Sequence, residues 1–315
     1  MRNTYTQEAD FRQERDFGAK ISATFEFIGA HFQPLAKVLL YIALPAALGR
    51  AVLLGLLQSQ LATRVQTTAG LASAYPGGIW QRQGTAYLTM VSSPAYYVNS
   101  LLSQVFTTLI ILSVYGYLLH CLPRTDPHRE ITVADVWAVV RREFIGTFFS
   151  VWGLSFVVIL GFIVLFIPGL YLSVALSLFF IVRLVEGTGF GDTISRCLHL
   201  TRGKWWSTFG LLFIMAMLLY MLLIAAGSVA GLLSGGFLAL LKSARSPLFV
   251  TVMGAVTTLF TLLIYPPLLI ALAFQYFNLV ERKEGRGLHA LVDQLGQAPA
   301  DVNAQTYRPD EQGEY

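Results

Sequence analysis

Thr147-Phe-Phe-Ser-Val-Trp-Gly-Leu-Ser-Phe-Val-Val-Ile-Leu-Gly-Phe-Ile-Val-Leu-Phe-Ile-Pro168-Gly169-Leu-Tyr-Leu-Ser-Val-Ala-Leu-Ser-Leu-Phe-Phe-Ile-Val-Arg183-Leu-Val-Glu186 carries charge only at its far end. A helix crosses a ~30 Å hydrocarbon layer in about 20 residues, so this stretch has the length of two spans. Pro168-Gly169 divides it, and that dipeptide is a strong turn signal. The reading is a tight transmembrane hairpin of 147–167 and 169–186.

Working outward, apolar runs of similar length lie at 35–58 and 96–120 before the hairpin, and at 207–235 and 248–279 after it. The last run is longer than one bilayer crossing and contains Pro266-Pro267, which predicts a kinked or tilted helix. Composition agrees: 55% of residues are hydrophobic and 13% charged, with mean hydropathy +0.60. An ordinary soluble domain carries roughly a quarter of its residues as charges. The expected fold is therefore all-α, a polytopic membrane protein of six transmembrane helices in hairpins 35–120, 147–186 and 207–279. Around this 34–288 domain lie an N-terminal segment, 1–33, and a polar tail, 289–315.

Orientation follows from basic residues, which accumulate in cytoplasmic loops. With the N-terminus inside, 17 of the 22 Lys and Arg fall on the cytoplasmic side. Arg64, Arg82, Lys242 and Arg245 fall outside, and Arg50 falls within the first span. Both termini are read as cytoplasmic, in a bacterial inner membrane. The charges of residues 1–33 exclude a cleaved signal peptide there, and Cys121 and Cys197 are read as reduced thiols.

Three segments just ahead of the odd-numbered spans share one gapless pattern. Ile21, Phe25, Ile28 and Phe32 correspond to Val133, Trp137, Val140 and Phe144, and again to Ile194, Leu198, Thr201 and Trp205. Spacing of 4, 3, 4 puts each set on one helical stripe. Each unit reads as an interfacial amphipathic helix followed by a transmembrane hairpin, with polar faces that include Lys20 and Glu26, Arg141 and Arg142, or Arg196, Arg202 and Lys204. Such helices cover the membrane face, or bind anionic headgroups through their basic residues. The odd spans lack a Pro-x-acidic-x-x-basic motif, which excludes the mitochondrial carrier architecture.

Two stretches carry a family resemblance. Val182–Trp206 includes Glu186, a Gly-rich turn, a helix and Leu200-Thr-Arg202-Gly-Lys204-Trp-Trp206; the last span closes with Tyr276-Phe-Asn-Leu-Val-Glu-Arg-Lys-Glu-Gly285. Together they resemble the membrane domain of the glycerophosphoryl diester phosphodiesterase membrane-domain family and its uncharacterised bacterial relatives, with Asn278 where that pattern has an acid. The resemblance implies a six-span membrane domain. The catalytic barrel fused to some relatives has no counterpart here, so no catalytic residue carries over.

Single motifs give no chemistry either. Gly187-Thr-Gly-Phe-Gly191 lacks the spacing of a dinucleotide loop and follows a membrane helix rather than a strand; it reads as a turn before a helix capped by Asp192. His120, Cys121 and His128, or Cys197 and His199, lack a metal-site spacing. No metal, cofactor or nucleic acid is expected.

The candidate polar sites are Arg50, Arg183, Glu186, Arg202 and Lys204. Arg50 either snorkels to headgroups or faces a polar cavity. Arg183 and Glu186, three residues apart, are expected to pair. Gly227, Gly231 and Gly235 form a small-residue stripe for close helix packing, within the chain or between two copies. The expected partners are membrane lipids, with a protein partner or a homo-oligomer as further readings. The leading function is a non-enzymatic lipid- or partner-interacting scaffold or regulator, and the alternative is a transporter or channel for a small or amphiphilic solute.

Overall fold

The structure is a computed structural model that describes residues 8–50, 52–53, 88, 91–122, 131–233 and 247–285. Every regular element among them is a helix. In chain order these are α1 (Glu8–Phe11), α2 (Phe17–Ile42), α3 (Leu44–Arg50), α4 (Pro94–Cys121), α5 (Val133–Val164) and α6 (Phe166–Ala175). They continue with α7 (Phe179–Glu186), α8 (Phe190–Thr201), α9 (Trp205–Leu233) and α10 (Pro247–Glu284).

Five helical stretches are long and apolar enough to cross a membrane: Tyr96–Cys121, Val133–Val164, Phe166–Glu186, Trp205–Leu222 and Thr261–Glu284. The pair α2 and α3, bent by 46°, makes a sixth if it is one span. Most of the stretch 59–95, which carries Arg64 and Arg82, and the whole tail 289–315 lie outside the described residues.

The helices are unequal in burial. In its most apolar window α10 is 72% buried and α4 61%, whereas α5 is only 17% buried. The outer face of α5 leaves Ile145, Phe149, Phe156 and Ile163 largely exposed. In water such a continuous apolar face would be an aggregation site. In lipid it costs nothing, because the tails are as apolar as the side chains, and helices associate by packing and polar contacts instead.

The three stretches expected to be interfacial helices join their spans in three ways. In α5 there is no break: a single helix of 32 residues runs from Val133 through the span. Its start is fixed by a capping box, in which the Thr132 hydroxyl accepts from the Asp135 amide at 3.3 Å and the Asp135 carboxylate accepts from the Thr132 amide at 3.0 Å. Thr132→Ala is expected to cost about 1 kcal/mol, read as a lowered thermal midpoint of the purified protein.

In α2 the helix kinks at His31 (φ −112°, ψ 17°), and Pro34 follows within it. Proline removes the amide that would bond back to residue 30 and crowds that carbonyl. In the third stretch the helix stops: α8 and α9 are separated by Gly203, whose φ of +82° is a left-handed conformation that suits glycine.

The apolar stripe is divided between exposed and packed positions. Phe25, Phe32 and Trp137 face outward, each about half exposed. The inward positions on α2 are Lys20, Ala23, Thr24, Phe27 and His31, and those on α8 are Thr193, Cys197, Leu200 and Thr201. Large apolar side chains stand on both faces, and the inward face mixes Phe27 and Leu200 with small or polar residues.

In the expected second hairpin, two consecutive helical stretches of membrane length, Val133–Val164 and Phe166–Glu186, part ahead of Pro168-Gly169. The chain turns at extended Leu165 (φ −162°, ψ 151°), and Pro168-Gly169 lies in the first turn of α6. Proline is tolerated there because first-turn amides have no partner within the helix. The glycine serves the crossing: a Cβ on Gly169 would meet the Phe162 amide nitrogen at 2.7 Å, and one on Gly161 would meet the Gly169 Cα at 3.1 Å.

Gly227 and Gly231 lie in the last part of α9. Gly235 and the packing of that stripe are outside the described residues.

Candidate functional site

A group of polar side chains among the described residues meets where α2 and α9 begin and α7 and α10 end, beside α8. The last turns of α10 are the hub. This helix is central, so polar groups there face protein on every side and need partners, since an unmet buried polar group is costly.

On one side, the Gln275 carbonyl accepts from Lys20 Nζ at 2.8 Å, and its amide donates to Thr208 Oγ1 at 2.9 Å. Lys20 also donates to Ser207 Oγ at 3.2 Å. This corrects the placement of Lys20 on a solvated polar face: it is 3% exposed, whereas Glu26 is exposed. Its hydrogen-bond partners are uncharged. The nearby charges of Arg282 and Lys204 repel it and that of Asp16 attracts it.

One turn on, Asn278 Oδ1 accepts from the Arg15 backbone amide at 2.9 Å, and the Arg15 guanidinium lies 5.0 Å from the Phe274 ring centre. Such a cation over a ring is attracted by the negative face of the π system. Asn278 is thus an acceptor that fastens the N-terminal segment to α10.

On the other side, Glu186 accepts from Arg196 Nε at 2.9 Å and from the Tyr276 hydroxyl at 3.0 Å. Arg196 reaches Glu284 through its other arm. Burial alone would lower the Arg196 pKa, but its hydrogen bonds to Glu284 and Glu186 outweigh that and hold it above the ordinary value. Lys283 donates to the His199 carbonyl. The two stretches that carry the family resemblance therefore meet through Glu186, Arg196, Tyr276, Lys283 and Glu284.

The expected pairing of Arg183 with Glu186 is corrected by this geometry. Arg183 instead donates to the Gly146 carbonyl at 2.6 Å and to the Ser150 hydroxyl. A Cβ at Gly146 would collide with the guanidinium, so the glycine gives Arg183 its seat on α5. Spacing within one helix shows which residues share a face; it does not show the neighbouring helices that compete for them.

Arg202 and Lys204 flank Gly203 at the turn between α8 and α9, and both are exposed. Beside them Trp206 is 76% exposed, while Trp205 stacks on Tyr171 and donates to its carbonyl at 3.2 Å. Arg50 lies at the opposite end of α3, half-buried, with its guanidinium 5.8 Å from the Phe106 ring centre. Its Nε has no hydrogen-bond partner among the described residues.

The Gly187–Gly191 turn is built as a helix start. Gly187 takes φ +65°, closing α7, and α8 begins at Phe190 with Gly189 as its cap. Asp192 is thus not the cap; it sits in the first turn, where its charge suits the helix dipole. Among the described residues no group of three or more His, Cys, Asp or Glu converges as a metal site.

Cys121 and Cys197 are buried. Burial, reinforced by the charge of Glu186, pushes the Cys197 thiol up to about 12. The thiolate is the reactive form, so at pH 7–8 native Cys197 is expected to resist maleimide and to label only after denaturation, as read by intact-mass measurement.

From sequence Lys20 and Arg196 are read only as members of polar helix faces, and Gln275 is not named. Tyr276 and Glu284 belong to the quoted terminal motif. Nothing in the pattern marks Lys20 or Gln275, because their roles depend on which helix lies opposite. Compared with protein-family models, curated proteins and solved structures, the chain matches none, so its likeness to the phosphodiesterase membrane domain rests on those two stretches alone.

Proposed function

We propose that this chain is a non-enzymatic multi-pass protein of the bacterial inner membrane, with both termini cytoplasmic, that engages anionic lipid at its basic end as a scaffold or regulator. The observation that carries this reading is a division of labour among the charges. Glu186, Arg196, Glu284, Lys20 and Arg183 are committed to contacts between helices, whereas Arg202, Lys204 and Trp206 stand exposed on one turn. Basic residues beside an exposed tryptophan suit the headgroup layer, where the ring sits at the interface and each cation near an anionic surface contributes about 1 kcal/mol.

The test is lipid retention by full-length protein reconstituted in mixed phosphatidylglycerol and phosphatidylcholine vesicles, then extracted and analysed by mass spectrometry. Enrichment of phosphatidylglycerol is expected, and Arg202→Gln with Lys204→Gln should reduce it several-fold. Equal recovery of both lipids by the unaltered protein would sink the reading.

A transporter is the second reading, favoured by Arg50, whose Nε has no hydrogen-bond partner among the described residues. Solute flux in proteoliposomes that is abolished by Arg50→Leu would support it.

A further inference from the structure

Between α2 and α10 runs a groove of about 270 Å³ walled by Ile28, Phe32, Leu35, Leu39, Pro266 and Pro267. Its wall presents almost no polar surface. The groove continues the seam in which Phe17 and Ile21 of α2 pack against Leu211 and Met215 of α9. Farther along the seam, from Ile28 onward, the described residues that line the wall come from α2 and α10.

We propose that this groove seats one acyl chain of an anionic phospholipid. The inference rests on the lipid-binding reading above and gives it a site.

Three features select that occupant. First, the rim residues Phe32, Leu40 and Leu263 are each about half exposed, so the groove opens onto the same apolar surface that lipid must cover. Second, the wall from Ile28 to Leu40 is about 18 Å long at the helical rise, close to the depth of one leaflet, half of ~30 Å.

Third, the charge lies at one end. Lys20 precedes Ile28 by about 12 Å of helix, and Lys204 and Arg282 are close enough to repel it. Facing these cations are Asp16 and, 3.7 Å from Arg282, Glu14. Lys204 and the neighbouring Arg202 remain exposed to meet a phosphate.

The test uses the full chain in nanodiscs of phosphatidylglycerol carrying a photoactivatable diazirine on one acyl chain. After illumination and digestion, labels are expected to concentrate on 28–40 and 262–267 at several times the density on the lipid-facing residues 156–163. Ala36→Trp, which fills the groove, should lower labelling of those two segments at least five-fold and leave 156–163 unchanged.

Equal labelling of all three segments, before and after Ala36→Trp, would mean bulk lipid only and would overturn the site. So would a crosslink of the groove segments to another polypeptide. The wild-type distribution decides even if Ala36→Trp fails to fold. If phosphatidylglycerol is retained while the groove stays unlabelled, the headgroup reading stands and the groove site falls; if it is not retained, both fall.

Discussion

Gly169→Val should unfold the second hairpin more readily than any substitution of similar size on the α5 surface. A Cβ at Gly169 would lie 2.5 Å from Phe162 Cγ and 2.7 Å from the Phe162 backbone nitrogen. Real Cβ atoms do not approach so closely. The ring could rotate away, but the backbone nitrogen cannot, so α5 and α6 must separate.

Separation also removes the contacts that Gly161 makes with Gly169 and Leu172. Overpacking of this kind costs about 3 kcal/mol at its upper end. A drop of several degrees in the thermal midpoint is expected, measured by unfolding of the purified protein in detergent. Gly191→Ala is the matched control: a Cβ there meets nothing within 4 Å, and alanine is favoured over glycine within a helix. Equal loss at the two positions would refute the close-crossing account.

The second large effect is expected at Arg196. Its side chain joins Glu186 at the end of α7 to Glu284 at the end of α10, and the three side chains are 13–24% exposed. Arg196→Leu leaves two carboxylates facing a desolvated site without their cation. Removing one member of a fully buried pair costs 3–5 kcal/mol, and the partial exposure reduces this to about 2 kcal/mol.

Glu186→Gln should cost less, because the amide oxygen still accepts from Tyr276. The combined Arg196→Leu and Glu186→Leu variant should lose less than the sum of the single changes, since Arg196→Leu strands two carboxylates, Glu186→Leu leaves Arg196 paired with Glu284, and the double change strands Glu284 alone. A double-mutant cycle on thermal midpoints measures that coupling. Strict additivity would show that the ion pair contributes nothing to stability.

Both predictions concern contacts between elements, and the sequence was least informative there. Hydropathy over 147–186 located a hairpin, because a run twice the bilayer thickness broken by Pro-Gly has few other solutions. It placed the turn at Pro168, whereas the chain breaks at Leu165, since proline is as content in a helix's first turn as in the loop before it.

Amphipathic spacing located the helical stretches ahead of the spans, but it did not say which stripe residues pack against neighbours: Phe25, Phe32 and Trp137 are exposed, whereas Val140 and Thr201 are buried. Arg183 and Glu186 were rightly placed on one helix and wrongly joined to each other. Gly146 and Arg196, each far from the pair's own turn, offer better partners.

The sequence by itself determined that the described chain is helical and built from membrane-length apolar segments, because those features depend on local composition and on the length needed to cross hydrocarbon. Only the tertiary structure decided the inward face of each helix, the glycine pair that closes the hairpin and the ion network around Arg196. It likewise decided the burial of Lys20 beside Gln275 and the groove between α2 and α10. These depend on which helices become neighbours, and in a bilayer that choice is made by close packing and by the need of each buried polar group for a partner, neither of which is written in the period of a single helix.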